Sequence, residues 1–238
     1  MTETTVLLLA IAGGILPALF WLWFWLREDQ EHPEPTWQLI ITFATGMLAA
    51  IVALELQLIQ DKYFTVTFTA ALFLVSAIEE VVKFAASYIA GINTRSFDEP
   101  IDAPIYLITA ALGFAALENV FYLLTPLLDG NLTQGLVSGN TRFIGATLLH
   151  LLASATVGIA LAFAYYKGII LRIIYVSVGL CIAIILHTAF NYLIIDSIHK
   201  ETPELLFAAF ALVWGAIIIL LLFFEKIKAL TRKHNATT

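Results

Sequence analysis

The feature that most constrains this chain is a succession of apolar runs, each about 20 residues or more, separated by short polar connections. A helical run of that length matches the hydrocarbon thickness of a bilayer. Inside a bilayer, backbone polar groups are satisfied only within helices or closed barrels. Seven runs can be drawn, near 6–26, 37–59, 64–90, 101–128, 142–166, 169–195 and 205–224. The pattern predicts an all-α, polytopic transmembrane helix bundle of about seven spans, in which short connections make successive helices antiparallel neighbours. Composition agrees, since 61% of the 238 residues are hydrophobic and only 13% are charged. No soluble domain of this size carries that balance. The chain, 1–238, reads as one integral-membrane domain without an internal repeat.

Orientation follows the basic residues rather than the net charge of −6. With the N-terminus outside, the inner side receives Arg27, Arg95, Lys167, Arg172, Lys226, Lys228, Arg232 and Lys233. The outer side receives Lys62, Arg142 and Lys200. Eight against three favours N-terminus outside and C-terminus cytoplasmic. The first residues lack a basic region and a small-residue cleavage site, so run 6–26 reads as a first span and not a removed leader. The acidic loop from Arg27 to Pro35 reads as a solvated turn, and 129–140, rich in glycine and polar residues, as an outer loop or partial re-entrant segment. Cys181 is expected as a small buried hydrophobe. No basic cluster interleaved with aromatics supports nucleic-acid binding. The expected surroundings are a lipid bilayer in the cell membrane.

Against this apolar background the stretch Ile78-Glu79-Glu80-Val81-Val82-Lys83-Phe84 stands out. A charged side chain near a bilayer centre costs roughly 2.5–3.5 kcal/mol on insertion scales. Glu79 and Glu80 stand four and three residues before Lys83, so either reaches it along a helix. One reading is a self-neutralising ion pair. The other is that Lys83 holds one carboxylate while the second is left for chemistry.

Few other costly residues lie inside the runs: Glu118, Asn119 and Tyr122 in the fourth, Arg142, His150 and Ser154 in the fifth, and His187 and Asn191 in the sixth. Glu55, near the outer end of the second, reads as solvated. All remaining interior positions read as aliphatic, aromatic, glycine, alanine or small hydroxyl. At about 1.5 Å per residue, Glu118, His150 and His187 each fall roughly 12–15 Å inside the outer boundary. Glu79 and Glu80 lie about fifteen residues into their run, less if that helix begins late. Single polar residues often tie membrane helices together. Ionisable groups from four helices at one level instead predict a single polar site, expected in a water-filled cavity in the outer half of the membrane.

Carboxylates with imidazoles suit water activation, in which Glu takes the proton and His orients or polarises. Asn191 and His187, one turn apart, can donate to a developing oxyanion. No intramembrane Ser or Cys forms a nucleophile motif with a His. Glu79, His150 and His187 also make a ligand set that suits a divalent metal such as zinc. They form no His-Glu-x-x-His helix, and metal use stays open.

Taken in order, Glu79-Glu80-x-x-Lys83-Phe84, Phe97-Asp98-Glu99-Pro100-x-Asp102 with Tyr106, Gly113-Phe114-Ala115-x-x-Glu118-Asn119 with Tyr122, Arg142 with His150, and His187-x-x-x-Asn191 resemble the PrsW family of intramembrane proteases. That family is distantly related to the CAAX-prenyl endopeptidase superfamily. Pro33-Glu34-Pro35-x-Trp37 resembles the segment ahead of the family's second span. The resemblance runs from about Glu31 to Asn191 and departs at Leu107 and Ala111, where glycines are expected. It implies proteolysis of a membrane-anchored substrate, in the family's name-giving member an anti-sigma factor. It further implies Glu79 as general base, with Glu80 and Lys83 supporting it. His150 would orient water, His187 with Asn191 would hold the oxyanion, and Glu118 would be a further catalytic carboxylate or its support. The competing readings are an ion- or proton-coupled transporter and a non-catalytic membrane scaffold.

Overall fold

The computed structural model describes residues 2–29 and 32–235. Gln30 and Glu31 of the acidic loop, and the side chain of Lys233 counted for orientation, lie outside the described residues. The described residues form helices α1 (Glu3–Leu26), α2 (Thr36–Tyr63), α3 (Phe68–Ser87), α4 (Asp102–Leu128), α5 (Leu132–Thr141), α6 (Thr147–Phe163), α7 (Ile169–Lys200) and α8 (Pro203–Asn235). A π-helical turn, Arg142–Ala146, joins α5 to α6, and a second, Tyr88–Ile92, extends α3. Six stretches are long and apolar enough to cross a membrane, with α5, the π turn and α6 counting as one. The seventh, α3, is 20 residues long and differs by carrying Glu79, Glu80 and Lys83. The molecule is a multi-pass, all-α bundle.

Local chemistry sets the helix ends. Thr2, Thr67 and Asn131 cap α1, α3 and α5 by accepting from the backbone N–H of Thr5, Ala70 and Gln134. At the end of α7, Glu201 takes a left-handed conformation, φ +50°, which stops the helix as such caps do. The loop or re-entrant segment expected at 129–140 is instead helical from Leu132, because Asn131 supplies a cap that starts α5 at once. Helix α3 starts at Phe68, later than the expected residue 64, which brings Glu79 nearer its N-terminal end. Helices α7 and α8 also run past the expected ends at 195 and 224.

Helix α4 is the axis of the bundle. Every residue from Asp102 to Ala116 is buried, against α1, α2 and α6. The α2–α4 crossing depends on two glycines. A Cβ at Gly46 would overlap the carbonyl oxygen of Ala110, and one at Gly113 the carbonyl oxygen of Phe43. Small residues that let backbones approach are the usual means of association where lipid removes the hydrophobic drive between helices. Helices α7 and α8 turn most of their apolar surface outward, and Cys181 is exposed on α7. Its expected burial fails because apolar exposed positions are acceptable wherever the neighbour is lipid.

A buried polar site on four helices

Helix α3 presents Glu79, Glu80 and Lys83 inward, at most 5% exposed each. The choice between the two glutamates is made by geometry. Lys83 Nζ lies 2.5 Å from Glu80 Oε1 and 3.0 Å from His150 Nδ1. His187 Nδ1 also reaches Glu80 Oε1, at 2.6 Å. Lys83 therefore pairs with Glu80, three residues away, and not with Glu79.

Proton positions follow from what each group is able to donate. An ammonium only donates and an ionised carboxylate only accepts. His150 Nδ1 therefore accepts from Lys83, and its proton resides on Nε2, which donates to Glu118 Oε2 at 2.8 Å. His187 donates from Nδ1 to Glu80, which leaves Nε2 facing Glu79 Oε2 at 3.6 Å. His150 Nδ1 faces the same Glu79 oxygen at 3.9 Å. The two imidazoles stand edge to face with centroids 5.1 Å apart.

Glu118 on α4 is anchored twice, by His150 and by Arg142 Nη2 at 2.6 Å. The π turn carries Arg142 inward, where its Nε donates to Asn119 Oδ1 at 2.5 Å and its guanidinium lies 3.9 Å from the centre of the Tyr122 ring. Asn119 in turn donates to Thr147 at 3.0 Å. Arg142, expected both as a charge at the start of its run and as part of the polar set, lies in the cluster.

These groups border a cavity of about 820 Å³ that receives Glu79, Glu118, Tyr122, Arg142, His150, His187 and Asn191 in its lining. Glu80 and Lys83 lie behind that lining. Asn191, one turn from His187, is part-exposed to the cavity. Glu55 is exposed and outside the cluster, as read. The structure thus brings together every expected site residue.

Two glutamines escaped the reading that other interior positions are apolar or small. Gln57 on α2 donates to Glu79 Oε1 at 2.9 Å, and Gln38 donates to the carbonyl of Ala90. The available signal for Gln57 was an uncharged amide facing the same side as Ala53 and Ala50, one and two turns back.

The remaining motif residues gather elsewhere. Tyr106 donates to Glu34, Asp102 accepts from the N–H groups of Asp98 and Glu99 at 2.9 and 2.8 Å, and Asp29 accepts from the Glu34 N–H at 3.3 Å. Burial holds the Glu34 carboxyl above its ordinary range. Asp102 and Glu118 are sixteen residues apart on α4, roughly 24 Å at 1.5 Å per residue. This second cluster ties the loops at the opposite end of the bundle.

A metal ion suits the first site by chemistry. Glu79, His150 and His187 each offer a donor atom, all within 4.8 Å of one another. Glu79 Oε2 is buried without a hydrogen-bond partner. Each imidazole has its other nitrogen backed by a carboxylate, Glu80 or Glu118, the arrangement that orients metal-binding histidines. The donor set fits zinc, with Lys83 competing for His150 Nδ1.

Comparison with known proteins bears on the same residues. A family model described as PrsW family intramembrane metalloprotease matches residues 34–223. Protease PrsW of Bacillus subtilis (strain 168) is 25% identical over 190 residues, 77% of this chain and 82% of that protein. Protease PrsW of Clostridioides difficile (strain 630) is 28% identical over 188 residues, 76% and 77% of the two chains. Protease PrsW of Oceanobacillus iheyensis is 30% identical over 117 residues, 48% of this chain and 54% of that protein. No solved structure matches. The matched segment contains every residue of the cavity cluster, and the chain belongs to the PrsW family of intramembrane proteases.

Proposed function

We propose that this chain is an endopeptidase that hydrolyses a peptide bond of a membrane-anchored protein, using a water molecule activated by Glu79. The observation that carries the reading is Glu79 Oε2. It is a buried acceptor without a hydrogen-bond partner, and it lines a cavity with His150 and His187 on either side. Glu80 Oε2 is also without a partner, but Glu80 lies outside the lining and its charge is matched by Lys83.

In this reading a water between Glu79, His150 and His187 gives its proton to Glu79 as its oxygen bonds to the carbonyl carbon. Negative charge moves to the carbonyl oxygen, where the Asn191 amide donates, together with His187 when both of its nitrogens carry protons. Glu79 then passes its proton to the leaving amine as the C–N bond breaks, yielding a carboxylic acid and an amine. His150 closes the water site opposite His187, and Glu118 with Arg142 and Asn119 holds it there. In the alternative with a divalent metal, Glu79, His150 and His187 would hold it and it would supply Lewis-acid polarisation and a more acidic water, with Glu79 acting as its ligand in place of a free base.

The substrate class follows from the setting, since the cavity lies within a membrane bundle. A regulatory, anti-sigma-like protein is one example of such a substrate. The transporter and scaffold readings have no support from family membership. The test is incubation of purified protein in liposomes with a panel of single-span membrane proteins. Discrete cuts that require the intact cluster support hydrolysis, and no cut across the panel counts against it. Elemental analysis before and after chelation separates the metal reading, which fails if activity survives complete metal removal.

A further inference from the structure

We infer that Gln57 is a positioning residue for Glu79, an inference that rests on the reading of Glu79 as general base. The two adjacent glutamates of α3 are held by opposite means. Glu80 Oε1 receives a lysine ammonium and an imidazole N–H, at 2.5 and 2.6 Å. Glu79 Oε1 receives the neutral amide of Gln57, at 2.9 Å. Among the described residues this is the one hydrogen bond made by the Glu79 side chain.

The difference has a chemical consequence. A carboxylate has two oxygens that exchange places by a half-turn of its terminal torsion, a soft and roughly two-fold motion. An amide donor on Oε1 fixes that torsion and leaves Oε2 on the His150–His187 side. It does so without placing a second full charge beside the base, as a lysine would. An ammonium at the same place would hold the carboxylate more tightly and favour its ionised form, which weakens it as a proton acceptor. Charge-assisted bonds are roughly twice as strong as neutral ones, so the neutral partner suits the glutamate that must take up and return a proton.

Placement on the fold agrees. Gln57 is part-buried on α2, flanked in sequence by the exposed Leu56 and Leu58. Together with Ala50, Ala53 and Leu54 it forms the α2 wall of the cavity. The alanines let α2 come close, and the longer amide spans the remaining gap to α3. The same residue that orients Glu79 thus faces the space a substrate occupies, and α2 becomes part of the catalytic geometry although it carries no reacting group.

The experiment compares wild type with Gln57→Leu and Gln57→Lys in liposomes on one cleavable single-span protein, measuring kcat and KM separately alongside thermal midpoints. Loss of the partner that orients a metal-binding side chain costs about 10- to 100-fold in activity, and the same order is expected for a partner that orients a general base. Gln57→Leu should therefore lower kcat by about that factor, with KM within about twofold and an unchanged midpoint. Gln57→Lys keeps a donor but adds a charge, and should recover none of the lost kcat. Two outcomes overturn the inference: full kcat in Gln57→Leu, or a rise in KM at constant kcat, which would make Gln57 a substrate contact. Glu79→Gln, run in parallel, keeps the two readings apart. If it remains active, the general-base reading fails. If it is dead while Gln57→Leu is fully active, only the positioning role fails.

Discussion

Lys83 Nζ lies 2.5 Å from Glu80 Oε1, and both side chains are enclosed, at 0% and 1% exposure. A buried ion pair is weak evidence of net stability, but removing one partner is costly because it strands the other charge. Lys83→Met should therefore destabilise the folded protein by about 3–5 kcal/mol, the range for breaking a buried pair. Thermal unfolding in detergent checks this. The double variant Lys83→Met with Glu80→Gln should recover most of the loss, because no bare charge remains. An unchanged midpoint in the single variant would mean that the pair is solvated in the membrane.

Two glycines, Gly113 at the α2–α4 crossing and Gly215 on α8, make predictions of opposite sign. Gly113→Ala drives a methyl into the backbone carbonyl of Phe43, and forced overpacking typically costs about 1–3 kcal/mol. Gly215→Ala meets nothing within 4 Å and gains the helix propensity of alanine, about 0.5–1 kcal/mol. Midpoints of the two variants, measured in one detergent, should fall on either side of wild type.

Glu34 lies ahead of α2, outside the spans, and its carboxyl is held above the ordinary value of 4.5, first by burial and then by Asp98 and Glu99 nearby. The folded state keeps this proton to a higher pH than the unfolded chain does. Its contribution to stability is thus complete below pH 4.5 and is lost as pH rises through the folded-state value. Wild type should lose thermal stability over that rise, and Glu34→Gln should remove this part of the slope. An identical slope in both proteins would contradict it.

Much of this architecture was legible from residues alone, because the bilayer permits few alternatives. Apolar length marked the spans. The expense of charge in lipid marked Glu79, Glu80, Glu118, His150 and His187, and their similar depths brought them to one site. What escaped notice had weaker physical signals. Asn131 caps a helix where glycine and polar content suggested a loop. The π turn that swings Arg142 onto Glu118 adds one residue to a repeat, which periodicity does not register. Gln57 carries no charge, so its insertion cost did not call attention to it. The partition of Lys83 between two glutamates, at i,i+3 and i,i+4, depended on side-chain packing that spacing leaves open.

In the proposed reaction Glu79, and not its neighbour Glu80, takes the proton from water. This role is tested most directly by single-turnover cleavage of a single-span substrate with Glu79→Gln in liposomes, against wild type of matched thermal stability. General-base loss costs about 10²–10⁴-fold, so the rate should fall by that amount with substrate binding intact. Cleavage within tenfold of wild type, with Glu80→Gln inactive though folded, would contradict it.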